Sequence, residues 1–472
     1  MSANRNLLDR TLLNLRSAWR GIASLGRDTQ LTDFSPDLNK AERVKLREHI
    51  RACLDGKGGE VSARSRAAAL GELYLSLSTQ GRQTFLRLLS RDFAVDHTSV
   101  AELATKLQSC EEDQERMKIE ARLRRELSPP YLTLLTQFNA LPQGVKFLVD
   151  MRTDLLACKR GDAHLEMLDE VLRERLSVWF DIGFLELRRI TWDAPAALLE
   201  KLVNYEAVHR IKSWRDLKNR LEDDRRCFAY FHPRMPDEPL IFVWVALVEE
   251  LSNNVTDLLN VDAIRNDPNQ ASTAIFYSIS NTQTGLQRVS LGNFLIKRVV
   301  DELLKELPQL KTFSTLSPIP GFSAWLKEYM ASDVEPKLLD AEIKALNSVG
   351  GDVMAVLEAK NWHKDKESSA ALENPLTRLC AHYLVNEKRR NRSIDPVANF
   401  HLTNGAKVER INWLGDLSKK GLRDSHGLMV NYLYELKSIE TNHELYRESF
   451  QVSASKSVSA LADKSLSYLR AS

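Results

Sequence analysis

Three short segments carry side chains whose types and spacing could do chemistry. In the run 274–307, a solid apolar stretch (AIFYSIS, 274–280) feeds a loop reading Gly285-Leu286-Gln287-Arg288-Val289-Ser290-Leu291-Gly292-Asn293, which opens an expected helix over 290–307. Unpaired N–H groups at a helix start, reinforced by the helix dipole, favour phosphate. Gly292 lets the backbone approach closely and Arg288 adds a cation. The second segment, FSTLSPIPGF at 313–322, places Ser317 at a strand end before Pro-x-Pro-Gly, a stiff turn that fixes where the side chain points. It lacks the Gly-x-Ser-x-Gly pattern of an acyl-enzyme hydrolase. The third, 395–405, puts His401 in an expected strand over 397–402, just ahead of an Asn404-Gly405 hairpin, where an imidazole could move a proton. Each has a plainer reading: Ser290 as a helix cap, Ser317 as a turn serine bonding its neighbours, and His401 as a structural histidine. No HxH or HExxH spacing occurs, so no metal site is expected.

The elements that must position these groups fall into two textures. Residues 1 to about 185 are helical throughout. Segments 41–54, 64–75 and 113–127 repeat apolar residues three and four apart, with Pro129-Pro130 and Leu141-Pro142 marking junctions. Strands are then expected at 184–192, 227–231, 240–248, 274–280 and 312–317, and again at 397–402, 407–414 and 428–436. Residues 323–395 return to helical periodicity, broken at Gly350-Gly351. Strands with few intervening helices imply a mixed, largely antiparallel sheet rather than a doubly wound one.

At 472 residues the chain is long enough for two or three domains, and 43% hydrophobic with 28% charged residues is the balance of a globular protein. Lys and Arg number 66 against 64 Asp and Glu, a net charge of +2 that gives no reason to expect nucleic acid or an anionic membrane surface as partner. The longest apolar run, 240–248, is far short of the roughly 20 residues that cross a bilayer. Five scattered cysteines without a CxxC pair argue against a disulfide framework or a zinc ribbon and suit a reducing compartment. Leu8, Leu12, Leu15, Trp19 and Ile22 share one helical face among several arginines, a pattern found in organellar leaders; Asp9 and Asp28 interrupt it, so a first structural helix and a cytoplasmic location are expected over a mitochondrial one.

Together the segments resemble the malonyl-CoA decarboxylase family. The residues that carry the resemblance are STAIFYSIS (272–280), GLQRVSLGNFLIKRVVDEL (285–303), FSTLSPIPGF (313–322), NPLTRLCAHYL (374–384) and PVANFHLTNGAKVERINWLGD (396–416). The resemblance implies an α+β multidomain chain. A helical assembly domain over 1–170 would precede an acetyltransferase-like (GNAT) mixed α/β catalytic domain over 171–472, with a helical insertion at about 323–395. It implies conversion of malonyl-CoA to acetyl-CoA and carbon dioxide in a homotetramer, with no metal or other cofactor besides the coenzyme A of the substrate. Ser317 and His401 are implied as the catalytic pair. Gln287, Arg288, Val289, Ser290, Leu291, Gly292 and Asn293 are implied as coenzyme A contacts, and Tyr434 as a residue close to the reacting group. Family members can carry an acidic residue where Ser290 stands, so the resemblance extends binding, not catalysis, to that position. Two other readings use the same residues: an acyl-CoA-dependent N-acyltransferase, which would need a base for an amine and a second-substrate groove, and a helical scaffold with a degenerate coenzyme A module.

Overall fold

A computed structural model describes residues 15–24, 31, 34–56, 59–289, 295–333 and 337–471. The chain divides into two compact units. The first comprises Met1–Leu185, His232–Glu238 and Gln283–Leu291; the second comprises Glu186–Phe231, Pro239–Thr282 and Gly292–Ser472.

The first unit is built of helices, among them Lys40–Leu54, Gly59–Ser76, Thr79–Asp92, Gly144–Cys158 and Ala163–Trp179. Local sequence starts them cleanly. Asn39 and Glu42 form a reciprocal capping box, and Ser78, Asp96 and Asp162 each cap a helix through a side-chain oxygen. The N-terminal apolar face is partly explained: Leu15 and Trp19 are buried, and the Trp19 indole N–H donates to the Pro142 carbonyl at 2.8 Å. A Cβ on Gly71 would lie 2.0 Å from the Trp19 ring, so glycine is what lets the ring seat there. Leu8, Leu12 and Asp9 lie outside the described residues. The helix Asp113–Glu126 buries none of its residues.

The second unit is organised on an eight-stranded sheet of the described residues. In chain order its strands are β1 Glu186–Ile190, β2 Arg225–His232, β3 Met235–Val248, β4 Thr273–Asn281, β5 Thr312–Thr315, β6 Ser317–Pro318, β9 Lys407–Asn412 and β10 Met429–Leu433; β7 Lys388–Arg389 and β8 Arg392–Ser393 form a separate hairpin. The spatial order is β1-β2-β3-β4-β5-β10-β6, with β9 paired to β10. The pairings β1–β2, β3–β4, β5–β10, β6–β10 and β9–β10 are antiparallel, whereas β4 and β5 are parallel from Thr273↔Thr312 to Phe276↔Thr315. The apolar run of β3 is buried from Leu240 to Val248, the pattern of a strand covered on both faces. A parallel pair needs a crossover, and the helix Leu295–Glu306 supplies it. Leu295, Ile296, Val299, Val300 and Leu303 line its buried stripe.

Three expectations need correction. Residues 397–402 are not a strand: Pro396–Thr403 is a helix, and His401 sits in its last turn. Asp395 caps that helix and Pro396 occupies its first position, start signals that outweigh the strand preference of Val397 and Phe400. Asn404-Gly405 is accordingly a helix stop rather than a hairpin, with Gly405 at φ 79°. Helical structure also ends before residue 395, because Arg390 and Asn391 both take positive φ and turn β7 into β8.

Candidate active site

Ser317, His401 and Tyr434 meet inside the second unit. Strands β5 and β6 are one extended stretch interrupted at Leu316, and β10 runs beside both, with Leu433 opposite Ser314 and Val430 opposite Ser317. The Tyr434 N–H continues this ladder to the Phe313 carbonyl at 2.8 Å. The Pro396–Thr403 helix brings His401 against that seam, where its ring stacks on Tyr432 at 4.6 Å between centroids and 25° between planes.

The polar atoms form one chain. Ser317 Oγ donates to Thr315 Oγ1 at 2.8 Å and lies 3.2 Å from His401 Nε2; His401 Nδ1 lies 2.8 Å from the Tyr434 hydroxyl. Thr315 Oγ1 also accepts the Tyr432 N–H at 3.1 Å. A serine hydroxyl has one proton. Ser317 gives it to Thr315, so toward His401 it can only accept. With Ser317 accepting, the imidazole proton lies on Nε2 and Nδ1 accepts from the Tyr434 hydroxyl; the other tautomer would reverse all three bonds at the same distances. All three residues are at most 5% exposed. Burial draws the His401 imidazole down to about 3, which keeps it neutral, and raises the Tyr434 phenol, which stays protonated. The arrangement is a buried, neutral Nε2–H donor beside a hydroxyl, with a second hydroxyl behind the ring.

The remaining expected site residues are elsewhere or undescribed. Gln287, Arg288 and Val289 belong to the first unit, Gln287 and Arg288 exposed and Val289 buried, with Arg288 at φ 62°. Within that unit Arg152, itself buried and paired with Asp169 at 2.7 Å, donates to the carbonyls of Gly285 at 2.6 Å and Gln287 at 2.8 Å. A Cβ at Gly285 would sit 1.9 Å from the Val149 carbonyl, so the start of the loop is seated directly on the Gly144–Cys158 helix. Ser290, Leu291, Gly292 and Asn293 lie outside the described residues. Among the described residues no group of three or more His, Cys, Asp or Glu side chains is placed to hold a metal ion. Thr315, Tyr432 and Asp395 are parts of the assembly that the sequence reading did not single out. Only Asp395 had a readable signal, the Asp-Pro start of a helix.

The chain is similar to known proteins over most of its length. The profile of the Malonyl-CoA decarboxylase C-terminal domain matches residues 183–471 and that of the N-terminal domain matches 93–180. The mitochondrial malonyl-CoA decarboxylase of Anser anser anser is 38% identical over 470 residues, covering 95% of this chain and 93% of that protein. The mitochondrial enzyme of Rattus norvegicus is 40% identical over 448 residues, covering 88% and 87%. Among solved structures, malonyl-CoA decarboxylase from Rhodopseudomonas palustris superposes with a TM-score of 0.81 at 39% identity, covering 88% of this chain and 98% of that one. The Agrobacterium vitis protein gives 0.81 at 38% identity, covering 89% and 99%. The chain belongs to the malonyl-CoA decarboxylase family.

Proposed function

We propose that this chain converts malonyl-CoA to acetyl-CoA and carbon dioxide, with His401 as proton donor and Ser317 as the hydroxyl that orients the malonyl group. The observation that carries the reading is the buried chain Thr315–Ser317–His401–Tyr434. Loss of carbon dioxide leaves an electron pair shared between C2 and the thioester oxygen; that pair needs a fixed donor and then a proton. Nε2–H beside Ser317 supplies both from one place. Before substrate arrives the imidazole is neutral, and an isolated neutral imidazole is a weak acid. A malonyl carboxylate brought against it changes that, because a nearby negative charge favours the protonated ring. Binding then brings in one proton. Breaking the bond between C2 and the carboxylate carbon releases carbon dioxide and forms the enolate, and the Nε2 proton moves to C2. The sum is malonyl-CoA plus one proton giving acetyl-CoA and carbon dioxide, which balances without an oxidant. Tyr434, donating to Nδ1 before substrate arrives, sets the ring proton on the nitrogen that faces the reaction, and it accepts from Nδ1–H once the ring is protonated.

Gln287 to Asn293 are proposed as the coenzyme A contact, supported by the loop's place ahead of a helix that links two parallel strands. The same parallel pair within an antiparallel sheet supports an acetyltransferase-like catalytic domain over 171–472, following an assembly domain over 1–170. A homotetramer is proposed because the Asp113–Glu126 helix leaves most of its surface, including Met117 at 69% exposure, available to another subunit. Cytoplasm is the proposed location, since Leu15 and Trp19 serve as core of the first unit. No cofactor is proposed beyond the coenzyme A that the substrate brings. The chemistry is tested by incubating purified protein with malonyl-CoA alone and following acetyl-CoA and carbon dioxide. Turnover without an amine acceptor is expected, and His401→Asn should lower kcat by about 10²–10⁴-fold with KM little changed. An inert wild-type protein would refute the activity. An effect of His401→Asn confined to KM would refute the role of His401.

A further inference from the structure

Ser317 and His401 are carried on two separate arms, and the far ends of both arms meet at one carboxyl group. Asp395 is fully buried. Its Oδ1 accepts the N–H groups of Val397 and Ala398, each at 2.9 Å, capping the helix whose last turn holds His401. Its Oδ2 accepts the Gly321 N–H at 3.3 Å, closing the Pro318-Ile319-Pro320-Gly321 turn that starts at Ser317, and also the Tyr383 hydroxyl at 3.3 Å. The fit at the turn is close: a Cβ on Gly321 would lie 2.2 Å from the Tyr383 oxygen.

A helix cap needs one side-chain oxygen, and serine or asparagine caps as well as aspartate. The second oxygen of Asp395 is surplus to the cap and spans to the other arm. Both arms are stiff. Two prolines fix φ between Ser317 and Gly321, and one short helix with proline at its first position separates Asp395 from His401. A shift of Gly321 relative to the helix start is therefore passed on to the 3.2 Å separation of Ser317 Oγ and His401 Nε2. Nothing else about the carboxyl group argues for a charge at this depth. Burial alone pushes it toward its neutral form, and the four donors that oppose this are those of the two arms and Tyr383.

We infer that Asp395 is a positioning residue for decarboxylation, tying the Ser317 turn to the His401 helix so that hydroxyl and imidazole are held in register. This rests on Ser317 and His401 being the catalytic pair. Asp395→Ser keeps a helix cap and loses the reach to Gly321; Asp395→Asn keeps Oδ1 and sets an NH₂ group against the Gly321 N–H. Both should lower kcat by about 10- to 100-fold, the effect of a small misplacement in a preorganised site, with KM for malonyl-CoA within about threefold of wild type. In a His401→Asn background the same changes should cost less than about twofold more, because the geometry they disturb no longer serves a proton donor. A folded Asp395 variant with wild-type kcat, a loss confined to KM, or full additivity with His401→Asn would overturn the inference. If both variants fail to fold, Tyr383→Phe, which removes one Oδ2 donor and leaves the carboxyl group in place, should still lower kcat by about two- to fivefold, the loss of one of the four hydrogen bonds that hold it; an unchanged kcat there overturns the inference. Wild-type activity in His401→Asn alone would mark failure of the catalytic pair itself, whatever the Asp395 variants do.

Discussion

Replacing Tyr434 with phenylalanine tests the proton assignment most directly. The phenol donates to His401 Nδ1 at 2.8 Å inside a site that excludes water, so the variant leaves a buried acceptor without a donor. That omission costs roughly 1–3 kcal/mol. The same amount is removed from the preference for the Nε2–H form, because nothing then favours a bare Nδ1 over a protonated one. If about 1–2 kcal/mol of it appears in the barrier, kcat falls by about 5- to 30-fold. KM should stay within about twofold, since the hydroxyl faces the ring and not the substrate in this scheme. A continuous assay of acetyl-CoA formation across a range of malonyl-CoA concentrations separates the two constants. Adding His401→Asn gives the control: the double variant should be no slower than His401→Asn alone, because Tyr434 acts only through the imidazole. An unchanged kcat in Tyr434→Phe would refute the tautomer argument. A raised KM at constant kcat would instead make Tyr434 a substrate contact, and additive losses in the double variant would give it an independent role.

Acid stability follows from three histidines, His401 and His209 buried and His426 half-buried: His401 is drawn down to about 3, and His209 and His426 to about 4, in each case chiefly by desolvation. Their pKa values are depressed on folding, so between about pH 6.5 and pH 4 the unfolded chain binds protons that the folded one refuses. Stability should thus be flat above about pH 7 and fall below 6.5 by on the order of 1 kcal/mol per pH unit for each histidine; urea midpoints that stay constant down to pH 5 would contradict this. Gly405→Ala should destabilise the second unit by about 2–4 kcal/mol, because its φ is 79° and the new Cβ would stand 2.1 Å from the Ile439 carbonyl; the change in urea midpoint measures it. Arg288→Ala should raise KM for malonyl-CoA, more at low salt than at high, because an exposed cation acts on phosphate through screened attraction; a KM independent of salt and substitution would remove Arg288 from the phosphate site.

Much of the architecture is written in local pattern. Apolar residues three and four apart make the helices of the first unit, and the nine-residue run 240–248 suits a strand covered on both faces. The prolines after Ser317 declare a rigid turn whatever surrounds them. The 397–402 segment shows the limit of such reading. Its aromatic and branched residues suit a strand, and only the weighting of Asp395-Pro396 as a helix start would have corrected it. His401 is 84 residues from Ser317 and Tyr434 is 33 residues from His401, and no local rule relates positions so far apart. The sequence by itself determined which groups were available, a hydroxyl on a stiff turn, an imidazole and a phenol, and that strands would present the first and the last. The tertiary structure decided that the three form a single hydrogen-bonded line, which nitrogen bears the proton, and that one carboxyl group spans both arms. The physical reason is that proton location and pKa depend on desolvation and on partners a few ångströms away, quantities that exist only once distant segments have packed together.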